Sequence, residues 1–192
     1  MKYSPLRTRN TEQRTMPRNV EIKARVSDLD SLKKRAQILS DKVGTLIEQE
    51  DTFFHVEHGR LKLRSIKGAC GVLIQYDRPD QQGPKLSSYN MVEVDDVDNM
   101  KTVLSAALGI MGTVRKTRLL VMLGQTRIHL DDVEGLGHFM ELEVILEDGQ
   151  TTEYGQHIAE GVMEALEISQ ADLLDCAYMD MILKTKDNIT KL

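Results

Sequence analysis

In the stretch NVEIKARV, Val20, Ile22, Ala24 and Val26 alternate with Asn19, Glu21, Lys23 and Arg25. A two-residue period predicts a strand over 20–26 with one apolar and one charged face. Similar signals place further strands at about 46–56, 60–66, 72–78, 88–95, 112–123, 126–133 and 138–147. EHGR, GACG, LGQT and VEGLGH supply short turns, and RPDQQGPKLSS supplies a longer loop. The period changes in SDLDSLKKRAQILSDKVG, where Leu29, Leu32, Ala36 and Leu39 form one helical stripe. Ser27 is the expected N-cap, Asp28 and Asp30 fall in the first turn, and Gly44 is the expected stop.

A second helix is predicted at about 97–108, ending at Gly109, and a third around Ile158, Val162 and Leu166. SQAD at 169–172 is a capping-box variant that starts another helix. AYMDMILKT fits either a final strand or a helix end. Residues 1–16 are expected to be an unstructured leader, 17–184 one folded domain and 185–192 a tail. Eight strands joined mainly by hairpins, with helices inserted, make an α+β pattern. A closed eight-stranded antiparallel β-barrel with flanking helices removes the sheet edges that so many strands would leave.

Composition narrows the function classes. With 192 residues, 29% charged and 41% hydrophobic, the chain fits one ordinary globular domain. A net charge of −5 and only 4% aromatic residues argue against nucleic acid as a partner. No apolar run is long enough to span a membrane, and residues 1–18 lack the apolar core of a secretory signal. The two cysteines, Cys70 and Cys176, have no metal-ligand spacing and suit a reducing compartment. A cytoplasmic location is expected, and a homodimer is compatible with these data.

The charged faces then change the picture. Arg60, Lys62 and Arg64 share one face of GRLKLR, and Lys116 and Arg118 share one face of VRKTRLL. Arg127, His129 and Asp131 alternate with Ile128 and Leu130, and Glu141 and Glu143 alternate with Met140, Leu142 and Val144. For a single strand, a solvated face is the ordinary reading. Rows of like charge, however, repel unless an anion lies between them. If the charged faces point inward, about ten cations, Lys23, Arg25, Arg60, Lys62, Arg64, Lys116, Arg118 and Arg127 with Arg78 and Lys85 near the loop, crowd one cavity. Such a cavity suits a polyanion, because Arg forks and Lys ammonium groups match phosphate oxygens. Carboxylates among them suit a hard cation such as Mg²⁺ or Mn²⁺.

NVEIKAR, GRLKLR, VRKTR, RIHLDDVEGLGHFMELE and RPDQQGPKLSSY together resemble the CYTH family, also called triphosphate tunnel metalloenzymes. The resemblance covers about residues 17–184 and implies an eight-stranded barrel acting on triphosphates with a divalent metal. It implies that Glu21 and Lys23 belong to the opening Glu-x-Glu-x-Lys motif. It makes Lys62, Arg64, Arg78, Lys85, Lys116 and Arg118 phosphate-binding bases. Glu21, Glu141 and Glu143 become metal ligands, and Glu21, Asp131 and Glu143 the catalytic acids. Arg25 and Arg127 are added as phosphate-binding bases on position. One residue departs from the pattern: Asn19 stands where the motif has its first glutamate. An amide brings no charge and cannot act as a base.

The expected activity is metal-dependent hydrolysis of inorganic tripolyphosphate or an organic triphosphate, such as thiamine triphosphate or ATP. A class IV-type adenylyl cyclase making cyclic AMP from ATP is the alternative, and a non-catalytic triphosphate- or polyphosphate-binding protein is the third.

Overall fold

A computed structural model describes residues 18–77 and 84–190. Its elements run β1 (Arg18–Arg25), α1 (Leu29–Ser40), β2 (Thr45–Phe54), β3 (Arg60–Ile66), β4 (Gly71–Asp77), β5 (Lys85–Val94), α2 (Val97–Leu108), β6 (Ile110–Leu123), β7 (Thr126–Val133), β8 (Gly137–Leu146), α3 (Thr152–Ala165), a short 3₁₀ turn (Gln170–Asp172) and α4 (Tyr178–Thr190). The expected leader at 1–16 and the Arg78 position lie outside the described residues.

All eight strands close into an antiparallel barrel in the order β1-β5-β4-β3-β2-β6-β7-β8. The eight-stranded α+β barrel expected from the alternation is therefore the observed fold. Closure leaves no strand edge unpaired, so hairpins of such different lengths need no edge protection. Gly124, at φ 55°, makes the tight turn between β6 and β7 in the left-handed region that glycine enters without steric cost.

The apolar faces point outward, under helices. Val20, Ile22 and Ala24 of β1, with Ile128, Leu130, Met140, Leu142 and Val144, pack against Leu32 and Ala36 of α1 and Ala159, Val162 and Met163 of α3. Phe54, Leu63 and Val94 form a second outer core with Val97, Met100 and Leu104 of α2. A third cluster fills one end of the barrel: Phe53, Val114, Val133 and Phe139 meet Tyr178 and Met179 of α4. A Cβ on Gly112 would lie 2.3 Å from Met179 Cε, so glycine here lets α4 seat against β6. The barrel is thus a cup with one filled end.

Local corrections follow from capping chemistry. α1 is capped by Asp28, not Ser27, because the Asp28 carboxylate accepts the Ser31 amide at 3.0 Å and the Ser31 hydroxyl at 2.6 Å. α1 ends at Asp41, whose φ of 53° is the left-handed stop expected at Gly44. SQAD caps only a 3₁₀ turn, with Ser169 accepting from Ala171. AYMDMILKT is helical, and α4 continues to Thr190 through most of the expected tail. No glycine or proline interrupts that stretch, so an anchored helix propagates through it.

Candidate functional site

The inward faces of the strands line one cavity of about 130 Å³, open to solvent. Six basic side chains reach it among the described residues: Lys23, Lys62, Arg64, Lys116, Arg118 and Arg127. Lys23, Lys116 and Arg118 are buried, at 4, 7 and 3% exposure. Glu21, Asp51, Glu141 and Glu143 line the same space, and Asp131 lies fully buried beside it. Among the described residues, six basic side chains therefore face five carboxylates, so most of their positive charge is already met within the barrel.

Asp131, on β7, sits opposite Arg118 of β6 in the ladder. Its carboxylate accepts from Arg118 Nε and Nη2, both at 2.6 Å, from Lys116 Nζ at 2.9 Å and from the Tyr178 hydroxyl at 2.9 Å. Burial opposes its ionisation, but Arg118 and Lys116 outweigh this and hold the acid well below the usual carboxylate range. Asp131 is placed to orient the neighbouring bases.

A matching arrangement occurs on the adjoining strand pair, since β2 is hydrogen-bonded to β6. Asp51 of β2 lies opposite Arg64 of β3. It accepts from Arg64 Nε at 2.8 Å and Nη2 at 2.9 Å, and from Lys62 Nζ at 2.8 Å. Burial again opposes ionisation, and Arg64 and Lys62 again overcome it. Sequence reasoning missed Asp51. The available signal was the short hairpin, whose register puts Asp51 beside the Lys-x-Arg row. This carboxylate explains how like charges tolerate one another there.

Glu141 links the two basic groups of β1 and β6: its Oε1 accepts from Lys23 at 2.6 Å and its Oε2 from Arg118 at 2.7 Å. Burial opposes its charge, and Lys23 and Arg118 keep it ionised. Both oxygens of this expected metal ligand are thus engaged by cations. Glu143 accepts from Arg127 Nη1 at 3.3 Å and lies 3.3 Å from His129 Nε2. Burial, then the Arg118 charge, pushes the His129 imidazole towards its neutral form. Glu21 lines the cavity directly opposite Glu143 in the β1–β8 ladder.

The fit to a divalent cation can be read from these donors. Mg²⁺ takes one or two carboxylates together with phosphate oxygens, and two carboxylates at opposing register are placed to share one ion. Glu21 and Glu143 provide that pair. No group of three or more His, Cys, Asp or Glu side chains gathers into a metal cage among the described residues. Asn19 is 3% exposed, lines the cavity, and its Oδ1 is buried without a hydrogen-bond partner. An unpaired buried carbonyl oxygen calls for a donor that a ligand or hydrated ion would bring.

One other expected base, Arg25, is placed differently. Arg25 is exposed at the filled end, over the Phe139 ring at 4.9 Å, with a 3.4 Å bond to the Leu136 carbonyl. Its inward parity is defeated because Phe139 and Tyr178 fill the barrel at that level. Lys85 stands opposite Glu21 in the backbone register of the β1–β5 ladder, and its side chain lies outside what the structure describes. Tyr178, another residue that sequence reasoning missed, lies under Lys23 at 3.7 Å and Lys116 at 4.8 Å from its ring centre. Burial, then Arg118, pushes the Lys116 ammonium down to about 7.

No helix among the described residues is long and apolar enough to cross a membrane. Residues 17–178 match the CYTH domain. A protein from Methanocaldococcus jannaschii named "putative adenylate cyclase" is 24% identical over 177 residues, spanning 84% of this chain and 97% of that protein. A solved Pyrococcus horikoshii structure superposes with a TM-score of 0.75 at 22% identity, covering 84% of this chain and 98% of that one. A Vibrio parahaemolyticus structure titled "putative adenylate cyclase" gives 0.72 at 17% identity, covering 88% and 99%.

Proposed function

This chain belongs to the CYTH domain family, and from that premise we propose that it is a divalent-metal-dependent enzyme acting on a triphosphate, with hydrolysis as its reaction. The observation that carries the reading is the near-balance of charge in the cavity. Among the described residues, six basic side chains against five carboxylates leave too little net charge to neutralise a triphosphate by themselves. A cation entering with the substrate completes the balance, and Glu21 and Glu143 are the donors that suit it. When bound, Mg²⁺ or Mn²⁺ would supply Lewis-acid polarisation of phosphoryl oxygens.

The remaining work falls to side chains. Lys62 and Arg64 on β3, and Lys116 and Arg118 on β6, the two strands that flank β2, hold phosphate oxygens. Asp51 and Asp131 keep each Arg fork and Lys ammonium in place before the ligand arrives, so little reorganisation accompanies binding. Glu141 orients Lys23 and Arg118, and Arg127 guards the Glu143 end. Catalysis of this kind is positioning plus electrostatic stabilisation of the transferring phosphoryl group.

Water attacking the terminal phosphorus makes the chain a triphosphatase. The second reading is a cyclase, in which the ribose 3′-oxygen attacks the α-phosphorus of ATP; the names of the archaeal and Vibrio relatives favour it. A third, ligand binding without turnover, draws on the neutral Asn19. A cytoplasmic location and a free small-molecule partner accompany all three readings. The test is to incubate the protein with Mg²⁺ or Mn²⁺ and tripolyphosphate, thiamine triphosphate or ATP, and to resolve products by chromatography. Orthophosphate release supports hydrolysis, and cyclic AMP with pyrophosphate supports the cyclase. Tight binding without turnover of any substrate sinks both enzyme readings.

A further inference from the structure

His129 lies on β7 between Arg127 and Asp131, and its alternation with Ile128 and Leu130, which pack in the outer core, turns it towards the barrel interior. It is 5% exposed. Neither ring nitrogen has a hydrogen-bond partner of good geometry, although both are shut away from water. An imidazole in this state costs stability, because it gives up its water and receives no full bond in return. Packing alone would favour an apolar side chain of similar size. The histidine therefore answers to something other than the core.

Its surroundings single out the partner. Directly across the β7–β8 ladder stands Glu141, but both Glu141 oxygens are taken, by Lys23 and Arg118. The ring meets the diagonal neighbour instead, with Nε2 lying 3.3 Å from Glu143 Oε2. Arg127 Nη1 donates to the same oxygen, also at 3.3 Å. Glu143 Oε1 has no protein donor among the described residues. The two carboxylates of β8 are thus prepared differently. Glu141 has both oxygens on cations, whereas Glu143 is approached at one oxygen and keeps the other for a ligand.

We propose that His129 is a positioning residue for Glu143: its Nε2–H, together with Arg127, holds Oε2, so that Oε1 is the oxygen left to a divalent cation. This rests on the metal-dependent reading above and deepens it. A carboxylate that turns about its Cγ–Cδ bond must give up that freedom when it meets an ion; one already held at Oε2 has given it up beforehand. A 3.3 Å approach has room to shorten, as such bonds do once a site is loaded.

The experiment compares His129→Leu and His129→Gln with wild type. Electron paramagnetic resonance reads Mn²⁺ affinity in the presence of tripolyphosphate, and the metal-free melting temperature is measured beside it. Leucine keeps the bulk and removes the donor, while the glutamine amide brings an N–H back towards the Nε2 position. His129→Leu should weaken Mn²⁺ binding about tenfold, the lower end of the range for an outer partner of a metal ligand, and should melt at or above the wild-type temperature. His129→Gln should return the affinity to within about threefold of wild type on the same scale. A histidine that only fills the core gives the reverse pattern: a lower melting temperature in His129→Leu and an unchanged Mn²⁺ affinity. That pattern overturns the inference, as does His129→Gln binding Mn²⁺ as weakly as His129→Leu. Glu143→Gln separates the two levels. If it weakens Mn²⁺ binding while His129→Leu does not, only the positioning role falls; if it binds Mn²⁺ like wild type, the metal reading falls too.

Discussion

Asp51 holds Arg64 across the β2–β3 ladder in the way that Asp131 holds Arg118 across β6–β7. Each carboxylate accepts both Nε and Nη2 of the facing arginine and the ammonium of the lysine two residues before it. The barrel thus carries two Lys-x-Arg clamps, each locked by one buried acid.

Asp51→Asn should therefore damage both the fold and the site. Removing one partner of a buried pair costs about 3–5 kcal/mol, and here it leaves Lys62 and Arg64 as unshielded neighbours. Denaturant unfolding should show a loss of that order, and calorimetry a weaker tripolyphosphate complex. Wild-type stability in the variant would remove Asp51 from its role. The sign with pH is also set: Asp51 titrates below its unfolded value of 3.8, so its contribution is present above that pH and is lost as pH falls further. The variant should lack this part of acid destabilisation.

Lys116 predicts a second pH dependence near neutrality. Burial and Arg118 lower its ammonium from 10.5 to about 7 in the ligand-free protein. Below that pH it is charged and available to phosphate; above it the charge must be restored on binding. Lys116→Arg keeps its charge throughout. The affinity ratio of this variant to wild type for tripolyphosphate should rise by up to about tenfold per pH unit above 7. A ratio independent of pH from 6 to 9 would contradict a neutral Lys116. Comparing the two proteins cancels the ligand's own titration.

Glu21→Gln and Glu143→Gln should weaken Mn²⁺ binding in the presence of tripolyphosphate by more than tenfold, since even a lost outer partner of a metal ligand costs about 10–100-fold. Asp131→Asn should act differently, lowering stability and phosphate affinity through Lys116 and Arg118. Electron paramagnetic resonance of Mn²⁺ separates the two cases; equal metal affinity in Glu21→Gln, Glu143→Gln and wild type would dismiss the metal pair.

Asn19→Glu adds a carboxylate two residues before Glu21 on the same strand face. Without metal, this like charge should lower the melting temperature by a few degrees, in keeping with about 1 kcal/mol of cross-strand or same-face repulsion. With Mn²⁺ the loss should reverse, because ligand binding to the folded state stabilises it. A melting temperature insensitive to both changes would mean that Asn19 does not face the ion.

Much of this was legible along the chain. Strict alternation in NVEIKARV, GRLKLR and TRIHLDD fixes which residues share a face, because successive strand side chains point to opposite sides. Hairpin turns and the need to bury sheet edges lead from there to the closed barrel. Rows of like charge identify the inward face that lines the cavity. Periodicity and sequence therefore determined the fold, the sidedness of each strand and the residues that carry charge in the cavity.

Pairing across the barrel was decided only by tertiary structure. Asp51 and Arg64 are 13 residues apart, and Lys23 and Glu141 are 118 apart; the strand registers bring each pair together. Those registers set Asp131 against Lys116 and Arg118, and gave both Glu141 oxygens to Lys23 and Arg118. Docking of α4 removed Arg25 from the cavity by filling its end with Phe139 and Tyr178. The physical reason is common to all three. Alternation along a strand sets direction at a two-residue period, whereas the partner of a buried charge is set by barrel closure, which no local pattern encodes.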